Sequence, residues 1–347
     1  MIWFYLLSGL FLGWSLGAND AANIFGTAVG SRMIKFKTAA LIGGIFVLLG
    51  AVISGAGATH TLGKLGAVNA LAGSFTVALA AAITVAWMTK LKLPVSTSQA
   101  IVGAIVGWNL FTHSPTDMNS LTTIVSTWVF CPVLAGVFSF VIFHIFRLFL
   151  HKSKIHLLEL DAYNRLGLIL VGAFGAYSLG ANNIANVMGV FVPAAPFKDL
   201  HILGVNFTGT QLLFSIGGLA IAVGVYTYSY KVMLTVGNDL FKLTPVMALV
   251  VIIAESLVLF IFASQGLQNL LLSYGLPAFP LVPVSSSQAV VGAVIGISLA
   301  KGGKGVNYGI LGRIASGWVT TPITAAAISF VSLFFVQNVF LMQVYRS

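Results

Sequence analysis

Apolar segments of about 20 residues recur from one end of the 347-residue chain to the other, separated by short polar connectors. A helix needs about 20 apolar residues to cross the roughly 30 Å hydrocarbon core of a membrane. In the first half these segments are residues 2–30, 38–57, 67–89, 98–111 and 120–146, and in the second half 165–192, 202–223, 244–264, 287–300 and 308–340. The pattern predicts an all-α, polytopic membrane protein with about 10 to 12 transmembrane segments.

The composition supports the same class. Hydrophobic residues make up 58% of the chain and charged residues 7%, whereas soluble domains average about 25% charged residues. The 17 Lys and Arg outnumber the 7 Asp and Glu, but the basic residues lie in short connectors, as the positive-inside rule predicts, and do not indicate nucleic-acid binding. No basic leader precedes the first segment, which is predicted to be a retained helix. We expect a multi-pass protein of the plasma membrane.

Three motifs occur twice, in the same order. SLGANDAAN at 15–23 and SLGANNIAN at 178–186 share seven of nine residues, and PVSTSQAIVGAIVG at 94–107 and PVSSSQAVVGAVIG at 283–296 share ten of fourteen. STWVFCP at 126–132 is matched by SGWVTTP at 316–322. The duplication predicts two repeats, 1–146 and 165–347, joined by a polar cytoplasmic linker at 147–164. The second repeat is longer between its first two motifs, and we expect the extra residues at 226–242 and 265–281.

Five crossings in each repeat would turn the second repeat upside down, as in inverted-repeat transporters. If the N-terminus lies on the outer side of the membrane, Lys64, Lys198 and Arg346 are the only basic residues on that side. The other fourteen basic residues fall on the cytoplasmic side, which supports this orientation: Arg32, Lys35, Lys37, Lys90, Lys92, Arg147, Lys152, Lys154, Arg165, Lys231, Lys242, Lys301, Lys304 and Arg313.

The first duplicated motif places glycines, asparagines and an aspartate at membrane depth. Backbone can leave a helix there only where it lines a cavity buried in protein, so Gly17 and Gly180 are predicted to be breaks in their helices. Freed carbonyls and neighbouring side chains would then offer oxygen ligands for Na⁺. The side chains concerned are Asn19, Asp20, Asn23, Asn182, Asn183 and Asn186.

The second duplicated motif has the opposite chemistry. Pro94 ends one segment, and the hydroxyl triplet Ser96, Thr97 and Ser98 opens an apolar helix. A capped helix start with unpaired backbone N–H groups binds anions. Ser285, Ser286 and Ser287 repeat the arrangement. If the repeats are inverted, these two re-entrant helix starts face one another near the midplane, with one anion between them.

GANDAAN and GANNIAN, together with PVSTSQAIVG and PVSSSQAVVG, resemble the duplicated signatures of the inorganic phosphate transporter (PiT) family over nearly the whole chain. The resemblance implies an inverted-repeat, homodimeric symporter of inorganic phosphate with Na⁺, or with H⁺ in some members. It places Asn183 at the ion site and implies that phosphate contacts Asp20, Asn23, Ser96, Thr97, Ser98, Gln99, Asn186, Ser285, Ser286, Ser287 and Gln288.

The chain departs from the family pattern in two respects. Asn183 stands where the second signature commonly repeats the aspartate, which leaves the number of cations open. Gln99 and Gln288 stand where the family often has histidine, which removes a pH-sensing group. Trp128 and Trp318 are interpreted as packing residues at helix contacts.

The two mid-span acids admit different roles. Asp20 is a functional candidate because a carboxylate in hydrocarbon is costly; it either accepts a hydrogen bond from protonated phosphate or ligates Na⁺. Glu255 is either an ion or proton site or a satisfied interhelical hydrogen bond.

We therefore expect a secondary active symporter that imports phosphate with Na⁺. Proton-coupled phosphate symport and sulfate permeation are the alternatives, and no cofactor is expected. The polar residues concentrate at two motifs of matched depth, which favours a carrier over a channel. The two acids stand in no enzyme-like arrangement, which disfavours an enzyme.

Overall fold

The computed structural model describes residues 2–90, 95–152, 155–194, 197–202, 205–235, 243–303 and 308–346. Five residues named above, Lys92, Pro94, Lys154, Lys242 and Lys304, lie outside the described residues. The described chain is a helical bundle with one small hairpin, as the apolar pattern predicts.

The described part of the first half contains six helices, α1 (Ile2–Gly30), α2 (Phe36–Ser54), α3 (Ala56–Leu65), α4 (Leu71–Lys90), α5 (Thr97–Thr112) and α6 (Met118–Lys152). The second half begins with α7 (Leu157–Met188), a 3₁₀ turn (Gly189–Phe191) and an antiparallel hairpin of β1 (Leu200–Ile202) and β2 (Val205–Phe207), in which His201 pairs with Asn206. It continues with α8 (Gly209–Thr227), α9 (Ser229–Thr235), α10 (Pro245–Ile261), α11 (Gln265–Ser273), α12 (Ser286–Ala300) and α13 (Tyr308–Asn338).

Each of the ten apolar segments predicted from the sequence overlaps mainly with one helix: α1, α2, α4, α5, α6, α7, α8, α10, α12 and α13. The segment 38–57 also reaches the start of α3, and 202–223 begins in the hairpin. Among the described residues six helices are long and apolar enough to cross a membrane, or seven if the bent pair α10 and α11 counts as one span. The 16 residues of α5 and 15 of α12 extend only about 24 Å at 1.5 Å per residue. These two helices are therefore too short to cross hydrocarbon alone.

The centre of the bundle is formed by α1 and α7. Every residue of α1 from Ser15 to Val29 is buried, and α7 packs against α1, α2, α3, α8 and α10. By contrast, α6 and α13 lie at the periphery and expose large apolar side chains such as Phe130 and Ile323. An apolar exterior around a polar interior is the arrangement expected in lipid.

Packing between the two halves is reciprocal. Helix α1 packs on α8 as α7 packs on α2, and α5 packs on α13 as α12 packs on α6. Similarly, α9 lies beside α1 and α3 beside α7. This exchange of partners is what a two-fold relation between the repeats would produce. The position of that axis in the membrane plane stays a prediction.

The predicted helix breaks at Gly17 and Gly180 are wrong, because α1 and α7 run through both positions as continuous helices. Both glycines serve close packing instead. A Cβ at Gly17 would overlap the Ile221 carbonyl of α8, and one at Gly180 would overlap the Val47 carbonyl of α2. Small residues that let helix backbones approach are a common feature of membrane interfaces.

Two connecting regions contain more helix than the apolar pattern predicts. The polar linker predicted at 147–164 is mostly helix, since α6 continues to Lys152 and α7 begins at Leu157. The extra residues of the second half include α11, which agrees with the prediction at 265–281, and the hairpin between α7 and α8, which was not predicted. The described part of 226–242 is not an insertion, because α9 occupies beside α1 the place that α3 occupies beside α7.

Replacing Gly180 by alanine tests the close packing. The added methyl group would push α2 away from α7, and overpacking of this kind costs about 1–3 kcal/mol. We expect a melting temperature in detergent several degrees lower than that of the wild type. Gly63→Ala in α3 is the matched control, since its Cβ would meet no atom within 4 Å. Equal melting temperatures for both variants would contradict the packing role of Gly180.

Candidate functional site

The starts of α5 and α12 face each other in the protein interior. The Ser98 hydroxyl donates to the carbonyl of Val284 (2.9 Å), and the Ser287 hydroxyl donates to the carbonyl of Val95 (2.7 Å). Each bond joins one helix start to the residue that precedes the cap of the other helix. The facing arrangement expected of the second motif is therefore present in the structure.

Both helix starts are capped in the same way. Ser96 Oγ accepts from the backbone N–H of Gln99, and Ser285 Oγ accepts from that of Gln288, each at 3.2 Å. The four residues of each start, Ser96 to Gln99 and Ser285 to Gln288, are at most 2% exposed. The positive ends of two helix dipoles and their free N–H groups thus point into one buried region, which favours an anion.

The α12 start lies against the acidic motif of α1. Asn23 Nδ2 donates to Ser286 Oγ (2.8 Å), and the Ser286 side chain also lies close to the Asp20 carboxylate. Asn19 Nδ2 donates to Asp20 Oδ1 (3.0 Å) and to the carbonyl of Val95 (3.3 Å). We call Asp20, Asn23 and Ser286 the acidic half-site.

The α5 start lies against the corresponding motif of α7. Asn186 Nδ2 donates to Ser98 Oγ (2.8 Å) and to Asn183 Oδ1 (2.9 Å). Asn182 Nδ2 donates to the carbonyl of Val282 (3.0 Å), and its Oδ1 accepts from the backbone N–H of Val284 (2.8 Å). We call Asn183, Asn186 and Ser98 the neutral half-site, because Asn183 occupies the position of Asp20.

Glu255 adds a second carboxylate near the acidic half-site. Its side chain is 0% exposed, and neither Oε1 nor Oε2 has a hydrogen-bond partner among the described residues. It lies close enough to Asp20 for the charges of the two acids to interact, and it also lies near the Cys131 thiol. Cys131 in turn approaches the carbonyl of Ser285 with its Sγ at 3.6 Å. The sequence analysis left two roles open for Glu255. The prediction of a satisfied interhelical hydrogen bond is wrong, because its carboxylate oxygens have no partner among the described residues.

Several other buried side-chain atoms around the helix starts lack partners within the described residues. They are Thr97 Oγ1, Gln99 Oε1, Asn186 Oδ1 and Gln288 Oε1. Buried polar atoms are normally satisfied, and a cluster of unsatisfied ones indicates a ligand. The oxygens of Asn186 and Glu255 are of the kind that bind hard cations. Groups of three or more His, Cys, Asp or Glu that could hold a metal do not occur in the described chain.

The side chains predicted from the duplicated motifs meet in this region, but the sequence analysis missed some of the backbone groups found there. Because α1 and α7 are unbroken, the freed carbonyls expected at Gly17 and Gly180 do not exist. The carbonyls of Val95 and Val284, just before the hydroxyl triplets, are the ones at the site. Cys131 was also missed, although it lies in the third duplicated motif next to Pro132.

Comparison with known proteins gives the family. The sequence profile described as "Phosphate transporter family" matches residues 16–329, with a second match at 278–346. The chain belongs to this family. The resemblance seen in the duplicated signatures is thereby confirmed, and the family and fold are those of transporters and not of enzymes.

Individual relatives of the family match nearly end to end. A predicted phosphate permease of Pyrococcus abyssi is 28% identical over 93% of this chain and 95% of its own length. The sulfate permease CysP of Bacillus subtilis is 32% identical over 95% of this chain and 87% of its own length. A solved structure entitled "The sodium-dependent phosphate transporter" is 26% identical, with a TM-score of 0.76 over 97% of this chain and 98% of that chain. Family and helices together identify a multi-pass protein of the plasma membrane.

Replacing Glu255 by glutamine tests whether its charge is uncompensated without a cation. Removing an unpartnered buried charge should stabilise the protein, and we expect a melting temperature about 2–6 °C higher in choline buffer. In Na⁺ buffer the gain should shrink, because a bound cation stabilises the wild type alone. Glu159→Gln is the control, since Glu159 is exposed in the first turn of α7. An identical shift in both buffers would contradict cation binding at Glu255.

Proposed function

We propose that this chain is a secondary active symporter that imports inorganic phosphate together with Na⁺. The observation that carries the proposal is the pair of buried, capped helix starts facing each other beside two buried carboxylates. Membership of the phosphate transporter family and the likeness to a sodium-dependent phosphate transporter support it.

The oxyanion would lie between the starts of α5 and α12. Backbone N–H groups at a helix N-terminus bind phosphate because they point at the ligand and the helix dipole favours negative charge. The Ser96 and Ser285 caps and the Thr97 hydroxyl add neutral groups, so the site would hold the anion without a basic side chain. Binding would require the hydrogen bonds from the Ser98 and Ser287 hydroxyls to the carbonyls of Val284 and Val95 to break. Their opening would make room for the anion.

The coupling cation would lie at the acidic half-site. Asp20 and Glu255 would repel each other if both were ionised in the interior, and the ion pair of Arg165 with Asp161 lies far along the chain from both acids. Two buried carboxylates without a basic partner can both be ionised there only if a cation compensates them. Na⁺ would find carboxylate oxygens there, together with the amide oxygen of Asn23 and the Ser286 hydroxyl. Asn19 adds a further amide oxygen on that side, and the oxygens of Asn182, Asn183 and Asn186 on the neutral side would serve a second Na⁺.

Charge balance gives a mechanism for coupling. At neutral pH phosphate carries about one to two negative charges, and bringing it beside Asp20 without cations would be prohibitively costly. About two Na⁺ would neutralise a divalent anion. The empty carrier and the fully loaded carrier would then reorient, whereas a partly loaded carrier would be held back by its uncompensated charge.

Sulfate is the second candidate substrate, and the 32% identical sulfate permease supports it. Sulfate and phosphate are both tetrahedral oxyanions, but only phosphate keeps a proton at neutral pH. A carboxylate at the site would accept a hydrogen bond from phosphate and repel sulfate. We therefore favour phosphate on the strength of Asp20. Proton-coupled transport is the alternative to Na⁺ coupling, with Glu255 as the acid concerned.

We also propose that two copies of this chain form a homodimer in the lipid membrane. The exposed apolar side chains of α6 and α13 are suited to contact lipid tails or a second copy.

Asp20→Asn separates the two roles of the aspartate. Uptake of phosphate and sulfate into proteoliposomes would be measured with external Na⁺ and with choline in its place. If Asp20 ligates Na⁺, as we expect, the variant needs at least about tenfold more Na⁺ for half-maximal uptake, because a charged ligand is lost. If Asp20 also accepts a hydrogen bond from protonated phosphate, the preference of the variant for phosphate over sulfate narrows.

Asp161→Asn is the control for this experiment, since Asp161 is half-exposed in a surface ion pair. If Asp20→Asn keeps the Na⁺ dependence and the anion selectivity of the wild type, the aspartate has only a structural role. Undiminished wild-type uptake in choline would overturn Na⁺ coupling and leave the proton-coupled alternative.

A further inference from the structure

Two tryptophans outside the described site carry unused hydrogen-bond donors. The indole Nε1 atoms of Trp128 and Trp318 are buried and have no hydrogen-bond partner among the described residues. They occupy the same position in the third duplicated motif, four residues before Pro132 and Pro322. An indole N–H can only donate, and a buried donor without an acceptor costs about 1–3 kcal/mol. The same cost recurring in both repeats indicates a shared role.

Two glutamines carry the complementary unused acceptors. Gln99 Oε1 and Gln288 Oε1 are buried and also lack partners in the described chain. Each glutamine is the third residue of its helix, directly after the hydroxyl triplet. Unlike the indole, a side-chain amide both accepts and donates.

Helix packing places each tryptophan at the level of one glutamine. Gly103 of α5 packs against Pro322 of α13, and Gly107 packs against Ala326, so the two helices run parallel in a fixed register. One turn earlier on each helix this register brings Gln99 level with Trp318.

The other repeat has the same register. Gly292 of α12 packs against Pro132 of α6, and Gly296 packs against Gly136. One turn earlier, Gln288 is level with Trp128. In each of the two helix pairs, α5 with α13 and α12 with α6, an unsatisfied indole donor therefore lies at the same height along the helices as an unsatisfied amide acceptor.

We propose that Trp318 and Trp128 are positioning residues that fix Gln99 and Gln288 for oxyanion binding. When the oxyanion binds, each indole N–H donates to the Oε1 of its glutamine. That bond leaves only the amide Nε2 to face the anion, so the glutamine presents a donor and never its repelling oxygen. The inference rests on the proposed oxyanion site between the starts of α5 and α12, and it deepens that site by adding one donor from each repeat.

This arrangement has a consequence for the ligand. Both glutamine donors are neutral and do not titrate, and they recognise any oxygen that accepts a hydrogen bond. The pairs should therefore contribute equally to phosphate, arsenate and sulfate, whereas discrimination among these anions is left to Asp20. Affinity for the whole class of tetrahedral oxyanions would depend on the two tryptophans.

A double-mutant cycle on Trp318→Phe and Gln99→Leu tests the proposal. Phenylalanine keeps the aromatic packing and removes the N–H alone. Binding of phosphate and of sulfate to the purified protein would be measured by calorimetry, and uptake would give KM and the maximal rate. We expect Trp318→Phe to weaken binding of both anions by about fivefold, as for one neutral hydrogen bond, and to raise KM more than it lowers the maximal rate. The double variant should bind no more weakly than Gln99→Leu alone, because the tryptophan acts only through the glutamine.

Trp108→Phe is the matched control. It lies on α5 like Gln99, but at the other end of the helix, where its Nε1 donates to the carbonyl of Val344 (3.0 Å). It should lower the melting temperature and leave both affinities unchanged. Two results would overturn the pairing: unchanged anion affinity in Trp318→Phe, or losses of affinity in the double variant that equal the sum of the two single losses. If the wild type still binds the anions in that case, the proposed oxyanion site itself stands. A wild type that binds neither anion would overturn the proposed function and the pairing with it.

Discussion

Polar groups at membrane depth must find their partners inside the protein, because hydrocarbon offers none. This constraint governs the centre of the molecule. Helices α5 and α12 start in the interior and would leave their first N–H groups unpaired there. At each start a serine cap accepts from one of these N–H groups. A second serine donates to the opposite backbone carbonyl, and an asparagine of α1 or α7 donates to a serine hydroxyl, which satisfies other polar groups there. The groups left unsatisfied are the ones available to a ligand.

The two halves of the site are built alike but differ in charge. A duplicated chain would give two equal half-sites, yet Asp20 in one is Asn183 in the other, and Glu255 lies near Asp20. Negative charge is thus concentrated on one side of an anion site made from helix starts. That asymmetry allows one region to bind a cation and an oxyanion together, each of which lowers the cost of burying the other.

Much of this arrangement could be predicted from the sequence. Apolar segments located ten helices, and the duplicated triplets predicted that the starts of α5 and α12 would meet. Glycines at membrane depth were ambiguous, because both a helix break and a close helix contact favour them; Gly17 and Gly180 make contacts with α8 and α2 that no local pattern encodes. The surroundings of Glu255 likewise depend on the side chains of several helices, and the position of Cys131 against Ser285 depends on how α6 packs on α12. Tertiary packing decides these features, and a single sequence does not contain it explicitly.

We propose above that one oxyanion binds between the starts of α5 and α12. Anomalous diffraction from crystals grown with Na⁺ and arsenate, and from others grown with selenate, locates the anion directly by its heavy central atom. We predict a single interior peak within hydrogen-bonding reach of the N–H groups that follow Ser96 and Ser285. A peak at either acid, two separate peaks at the two helix starts, or an anion bound only at the protein surface would contradict it.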